Sequence, residues 1–301
     1  VTDHILIEFD KVSAEWICVA YLSNDARMLD VVKQGKDPHL ITGSLLSGAP
    51  EELVAKEDRL VRKATDPIEI EHLRSRLPEL NDYFLPRVYS IRQMAKRCNH
   101  ALNYGMGYRR FALETEVDET EAKRIVNTYF NQAYPGIKIW WGAIEEQLRR
   151  NDRTLVNCFG RKCRLLDAWG VELFEKARSF LPQSTVTDMV HEGMIKCFDD
   201  QSRPFRPLEL LEDGHDSLLY QYPVGRWRSM AFAVAKMAFD YMSPVAIYSI
   251  KEFKIDTEVT IGLDWGHMEK VKISPRYKDI NKNAENIRKT WERLRGEAKA
   301  A

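Results

Sequence analysis

The sequence predicts an α/β (α+β) fold in which a few short strands bracket a long, almost wholly helical middle. Three observations carry that expectation. His4 to Phe9 (HILIEF) is a short, mostly apolar run rich in β-branched and aromatic residues, and it reads as a buried strand ending at Asp10. Leu208 to Leu211 and Ser217 to Tyr222 flank the acidic turn Glu212-Asp213-Gly214 as a β-hairpin, and Glu258 to Ile261 (EVTI) supplies a late strand. Between these, Arg92 to Tyr104, Asp118 to Tyr129 and Ile137 to Arg150 have helical patterning.

Taken in order, the first strand gives way to a helix. Ser13 precedes apolar residues at Trp16, Ile17, Val19, Ala20 and Leu22, and Asn24-Asp25 breaks the run, so Ser13 is the expected N-cap and Asp10 lies at a strand-to-helix junction. Pro50 to about Leu80 is charged and helical in tone, with Pro67 and Pro78 as punctuation, which predicts two exposed helices. Arg92 to Tyr104 contains neither glycine nor proline and stops at Gly105-Met106-Gly107, a glycine C-terminal signal. Tyr134-Pro135-Gly136 separates the next two helices. Thr154 to Leu166 is hairpin-like around Phe159-Gly160-Arg161, Val171 to Phe180 and Ser184 to Phe198 return to helix, and Trp227 to Tyr241 is helical. There is no internal repeat and no low-complexity tract.

Composition narrows the class. At 301 residues and 44% hydrophobic, the chain can bury one large core or two small ones, which excludes a disordered protein. The longest apolar runs, Trp16 to Leu22 and Met230 to Phe239, fall well short of the roughly 20 residues a bilayer demands, and mean hydropathy is −0.42, so no membrane partner is expected. Five scattered cysteines form no CxxC pair and no signal peptide opens the chain; a reducing cytoplasm is the expected location. A zinc site from Cys158 and Cys163 with Cys197 or His191 does not match a usual ligand spacing, and these cysteines read as packed residues. Basic and acidic residues balance at 45 each, but not locally. Pro86 to Arg110 carries six basic residues and no acidic one, and Gly266 to Ala301 carries ten basic against five acidic, which makes both candidate phosphate-facing surfaces.

Two constellations bear chemistry. Asp10 and Asp216 stand 206 residues apart, one at the end of a strand and the other at a hairpin. Carboxylates brought together at adjacent strand ends can hold two divalent ions about 3.5–4 Å apart, an arrangement suited to phosphoryl transfer. On a 3.6-residue helix, Arg92, Lys96, His100 and Tyr104 form one stripe: two cations able to grip a polyphosphate, then two rings able to meet a base.

The segments FDKVSAEW, RQMAKRCNHALNYG and GHDS, in that order, resemble motifs A, B and C of the family A DNA polymerases, the bacterial DNA polymerase I type. The likeness extends to GKDPH, YFNQAYPGIKIWW, FGRKCRLLD, PQSTVTDM and IGLDW, and together these cover most of residues 5 to 265. It implies a polymerase right hand, with an antiparallel palm sheet formed from residues 1–34 and 165–265 and a helical fingers subdomain from residues 35–164. An insertion at about 50–85 and a basic C-terminal extension at 266–301 would be additions to it. The implied activity is addition of dNTPs to a primer 3′-hydroxyl on a DNA primer-template, with two Mg²⁺ ions for which Mn²⁺ can substitute.

The resemblance also implies site residues. Asp10 and Asp216 would bind the metals, with the Lys11 main-chain carbonyl as a further ligand. Arg92 and Lys96 would bind the triphosphate, Lys96 also being placed to protonate the departing pyrophosphate, and His39 would touch the phosphates. His100 falls where the family has a stacked Phe or Tyr. Tyr104 would pack at the insertion site and act with Glu15 as a gate against a ribose 2′-hydroxyl, while Gln183, His215 and Arg97 would meet the DNA. Lys11-Val12-Ser13 replaces the family's Tyr-Ser-Gln, and Ser217 stands where motif C has glutamate. The chain starts nine residues before Asp10, so a thumb and a proofreading exonuclease would lie outside it, on a separate or upstream polypeptide. The phage-like motif residues also admit a single-subunit phage-type RNA polymerase, which shares the Arg-x3-Lys-Arg-x6-Tyr-Gly helix and His-Asp-Ser. Glu15 opposes that reading, because a ribonucleotide enzyme needs a small residue there. A non-catalytic nucleic-acid-binding subunit is the other alternative, opposed by the joint presence of Asp10, Asp216, Arg92 and Lys96.

Overall fold

The computed structural model describes residues 3–300. In chain order the elements are β1 (His4–Lys11), α1 (Ala14–Ser23), α2 (Ala26–Lys33), α3 (Pro38–Ser47), α4 (Glu51–Val61), α5 (Pro67–Arg74), α6 (Ile91–Asn103), α7 (Tyr108–Thr115), α8 (Glu119–Thr128) and α9 (Gly136–Arg150). They continue with β2 (Thr154–Val156), β3 (Lys162–Arg164), α10 (Val171–Asp199), β4 (Glu209–Asp213), β5 (Ser217–Pro223), α11 (Trp227–Lys236), β6 (Ala246–Tyr248), β7 (Lys251–Phe253), β8 (Thr257–Gly262), β9 (Met268–Lys270) and α12 (Ile280–Ala300). Contacts divide the chain into a sheet unit, Val1–Ala14 with Gln183–Ala301, and a helical unit, Glu15–Pro182. The division falls inside α1 and α10, and residues 266–301 group with the sheet unit.

In the sheet unit, five antiparallel strands run in the order β4-β5-β1-β8-β9, with β1 in the middle. Its alternation decides the packing: Ile5, Ile7 and Phe9 are fully buried, while Leu6, Glu8 and Asp10 between them stay half-exposed on the other face. The buried face meets Met230 and Val234 of α11 and Ile287 and Trp291 of α12 in one core. The extension is thus a core element, since Ile280, Ala284, Ile287, Trp291 and Leu294 form a buried stripe at helical spacing while its charges face outward.

In the helical unit, α6 lies at the centre of the packing. Met94, Cys98 and Leu102 on its inner face are fully buried among Trp16 of α1, Phe111 of α7, Ile125 of α8 and Trp140 of α9. A π turn at Tyr129–Ala133 follows α8 and seats the buried rings of Tyr129 and Tyr134.

Several local expectations are corrected. β1 runs through Asp10 and Lys11, because Lys11 N–H pairs with the Asp216 carbonyl at 3.0 Å and extends the ladder. Ser13 has φ of 50°, outside the extended region an N-cap serine uses, so it does not act as one. Val171 to Phe180 and Ser184 to Phe198 belong to one helix that passes through Pro182. Glu212 and Asp213 lie in β4, and the turn is Gly214 to Asp216. The helices at 50–80 are not simply exposed, since Val54, Leu77 and Leu80 form a small core with Ala49 and Ile91. Among the described residues, no helix is long and apolar enough to cross a membrane.

Candidate functional site

On the sheet unit, the ladder brings the two carboxylates of motifs A and C to neighbouring strands. Asp10 is directly opposite Ser217 of β5, so Asp216 is one residue from the pairing, and the Asp216 carbonyl accepts the Lys11 N–H at 3.0 Å. Within an extended strand the N–H and C=O of one residue point to the same side, so the Lys11 carbonyl is turned toward the Asp216 side as well. Its side chain goes the other way, into the core, where Nζ donates to the carbonyls of Met242 and Ile255 (2.8 Å for the latter) and to Thr257 Oγ1 at 3.0 Å. A buried ammonium with three oxygen partners meets the requirement that a buried cation be fully hydrogen-bonded.

This donor set suits hard cations. Carboxylates and a peptide carbonyl are the ligands that Mg²⁺ and Mn²⁺ take. Across β1 on the other side, Glu258 of β8 stands opposite Asp10, a carboxylate that the sequence motifs did not single out. Glu258 is engaged by Lys270 at 2.6 Å, and among the described residues no three His, Cys, Asp or Glu side chains converge as a ready-made metal cage. His215 is exposed in the turn before Asp216, and Gln183 is half-buried in α10, just after Pro182.

On the helical unit, the stripe on α6 forms as the spacing requires. Ser90 caps the helix: its hydroxyl accepts the Gln93 N–H at 3.0 Å, and the Gln93 side chain reaches back to the Ser90 N–H at 3.3 Å, a capping box. Lys96 and His100 are exposed, Arg92 is half-exposed and Tyr104 is the C-cap. Arg97, outside the stripe, lies over the Tyr89 ring, 4.2 Å from its centroid.

The partners of these residues define their chemistry. Arg92 Nε donates to Asp37 Oδ2 at 2.7 Å, and Asp37 also caps α3 through the N–H groups of His39 and Leu40. Burial works to raise the Asp37 carboxyl, but the Arg92 hydrogen bond and charge outweigh it and hold the group below its ordinary value. His39 is 6% exposed, and burial pushes its ring down to about 4. It is neutral near pH 7, and the Asn99 amide nitrogen, which can only donate, lies 2.9 Å from His39 Nδ1. Nε2 therefore carries the proton and can donate to an anion. The rings of His39 and His100 stack with centroids 6.3 Å apart.

At the end of α6, the Tyr104 hydroxyl donates to the Glu15 carboxylate, and burial, then the Glu15 charge, push the phenol well above its usual value. Tyr104 is thus a permanent donor to Glu15. Gly105 follows with φ of +102°, a conformation that strains any residue with a Cβ, so glycine ends the helix here. The sequence motifs named His39, but neither Asp37 nor Asn99, which set its state and that of Arg92. Asp37-Pro38 was readable as a helix start, whereas the Arg92 and His39 pairings join residues 55 and 60 apart.

Residues 88–267 match the family described as DNA polymerase family A. The thermostable DNA polymerase I of Thermus aquaticus is 26% identical over 269 residues, covering 87% of this chain and 27% of that protein. The DNA polymerase of Mycobacterium phage D29 is 24% identical over 244 residues, covering 81% of this chain and 33% of its own length. The chain thus spans about a quarter to a third of these relatives. Among solved structures, the POL domain of Pol1 from M. smegmatis, in complex with DNA primer-template and dNTP, superposes with a TM-score of 0.60 at 20% identity, over 86% of this chain and 39% of that one.

Proposed function

From the premise that this chain belongs to DNA polymerase family A, we propose that it is the catalytic core of a template-directed DNA polymerase, joining dNTPs to a primer 3′-hydroxyl with release of pyrophosphate. The observation that carries the reading is the β1–β5 register, which brings Asp10 of motif A beside Asp216 of motif C from 206 residues away. The relatives named above are DNA polymerases, which favours this reading over the RNA polymerase and binding-subunit alternatives.

Members of this family depend on divalent metal ions. Asp10, Asp216 and the Lys11 carbonyl would hold two Mg²⁺ ions, replaceable by Mn²⁺, which when bound would activate the attacking hydroxyl and steady the leaving oxygen. The remaining work falls to the chain's own groups. Arg92 and Lys96 bind the triphosphate, Arg92 exchanging Asp37 for phosphate oxygens. Neutral His39 donates a single hydrogen bond from Nε2 to a phosphate oxygen, and Lys96 hands a proton to the departing pyrophosphate. Tyr104, fixed by its bond to Glu15, closes the space that a 2′-hydroxyl would need. His100 presents its ring to the base. Gln183, His215 and Arg97 contact the primer-template.

Primer extension tests the proposal: a DNA primer-template with Mg²⁺, given dNTPs or rNTPs, with the chain alone and with any upstream polypeptide of the same source. Extension with dNTPs alone is expected. A preference for rNTPs would move the reading to RNA synthesis, and no extension under any arrangement would leave a binding subunit.

A further inference from the structure

The insertion between α3 and α6 has no part in the mechanism above, yet its most deeply buried polar groups end on the first turn of the helix that carries Arg92 and Lys96. The Glu57 side chain of α4 is wholly buried and that of Arg74 in α5 is 9% exposed. Arg74 donates Nε and Nη2 to Glu57 Oε1 at 2.9 and 2.6 Å, and Nη1 and Nη2 donate to the carbonyls of Pro86 at 2.5 Å and Tyr89 at 2.6 Å. Glu57 Oε2 accepts the Ile91 N–H at 3.0 Å, one of the donors that a helix start leaves without an internal partner. Beside it, Asp58 Oδ1 accepts the Ser90 hydroxyl at 2.5 Å, and the Gln93 side chain donates to the Arg62 carbonyl at 3.0 Å. The end of α4 thus holds residues 90, 91 and 93, and Arg92 lies among them.

Stability alone does not account for this pair. Removing two charges from water costs much of what their attraction returns, and apolar side chains of similar size often serve a core equally well. The neighbouring Val54, Leu77 and Leu80 would accept them. What an apolar pair could not do is hold a helix N–H and two loop carbonyls at fixed positions. Arg92 and Lys96 are long and flexible, so their cations arrive where a triphosphate needs them only if the backbone beneath is fixed.

We propose that the buried Glu57–Arg74 pair is a positioning device for nucleotide binding: it fixes the first turn of α6 and thereby the place at which Arg92 and Lys96 meet the triphosphate. The inference rests on the polymerase reading and adds to it a role for the insertion. Its test compares wild type with Glu57→Leu/Arg74→Met by melting temperature, by KM for dNTP and kcat in primer extension, and by hydrogen exchange of amides 91–97. The double variant is expected to melt within a few degrees of wild type. Its dNTP KM should rise about tenfold with kcat changed about twofold or less, and amides 91–97 should exchange at least about tenfold faster. A folded double variant with wild-type KM and exchange overturns the proposal. Should the double variant not fold, Ser90→Ala decides, because it releases the Asp58 contact and the cap without opening the core: a severalfold higher KM supports the device, and an unchanged KM overturns it. A wild type that incorporates no nucleotide would instead sink the polymerase reading, a result distinct from a working wild type whose variants match it.

Discussion

Replacing His39 by glutamine should flatten the acid side of the protein's stability curve. Burial is the largest cause of the depressed His39 ring, the charges of Arg92, His100 and Lys96 act in the same direction, and Asp37 opposes them. The folded value is about 4 against 6.5 for the unfolded chain, so protons bind the unfolded state first. Above pH 6.5 the neutral ring costs nothing; as pH falls from 6.5 toward 4, stability drops, and below 4 the loss is complete. The shift of about 2.5 pH units, at about 1.36 kcal/mol each, sets a ceiling of roughly 3 kcal/mol. Most of that, about 2.5 kcal/mol, is reached by pH 4.5. Asp37 does not confuse the window, because the stability it contributes by being held low is lost only below its ordinary 3.8. Glutamine keeps an acceptor for Asn99 and does not titrate. Urea unfolding of both proteins between pH 7.5 and 4.5 should show the variant gaining about 2 kcal/mol relative to wild type over that range. Parallel curves would refute the buried, neutral His39 and with it the single Nε2–H donor.

Three further outcomes follow from other parts of the molecule. Glu15→Ala removes the partner of Tyr104 and should lower discrimination against rNTPs by about 10²-fold, measured as the ratio of kcat/KM values; an unchanged ratio would dismiss the gate. Gly136→Ala would place a Cβ 2.9 Å from the Asp25 Cα, where backbone cannot yield, beside the 2.8 Å bond from Gly136 N–H to Asp25. A loss of about 1–3 kcal/mol is expected in urea unfolding, and a loss within error would contradict the packing there. Ending the chain after Lys272 removes Ile280, Ile287 and Trp291 from the sheet unit's core. At about 1.5–3 kcal/mol for each buried side chain the loss rivals a domain's whole stability, so the unit should lose its cooperative unfolding transition, and a retained transition would show α12 to be dispensable.

The placement of Asp10, Asp216 and the α6 stripe was the most legible part of the chain, because strand ends and a four-residue helical spacing set it before any tertiary contact is known. The β1 and β5 strands and the α6 stripe follow directly from such patterns. Pro182 misled because proline usually ends a helix, whereas here α10 continues through it with Leu181 and Val186 buried on either side. The stretch EELVAKEDRLVRKA reads as a solvated face, and nothing local marks Glu57 and Asp58 as turned inward, Glu57 to an arginine 17 residues away. In the C-terminal segment the ten basic residues drew attention to charge, although the stripe from Ile280 to Leu294 carried the stronger signal, that of a helix sealing a core. The state of His39 was beyond reach of the sequence, since it depends on burial and on the amide of Asn99, 60 residues away.

The central claim is that Asp10 and Asp216, set side by side by the β1–β5 ladder, drive nucleotidyl transfer. Single-nucleotide incorporation on a DNA primer-template, by wild type and by Asp10→Asn and Asp216→Asn at saturating Mg²⁺ and dNTP, tests it most directly. The account predicts a fall of at least about 10³-fold in rate for each variant with the melting transition retained. Incorporation within about tenfold of wild type by either variant would contradict it.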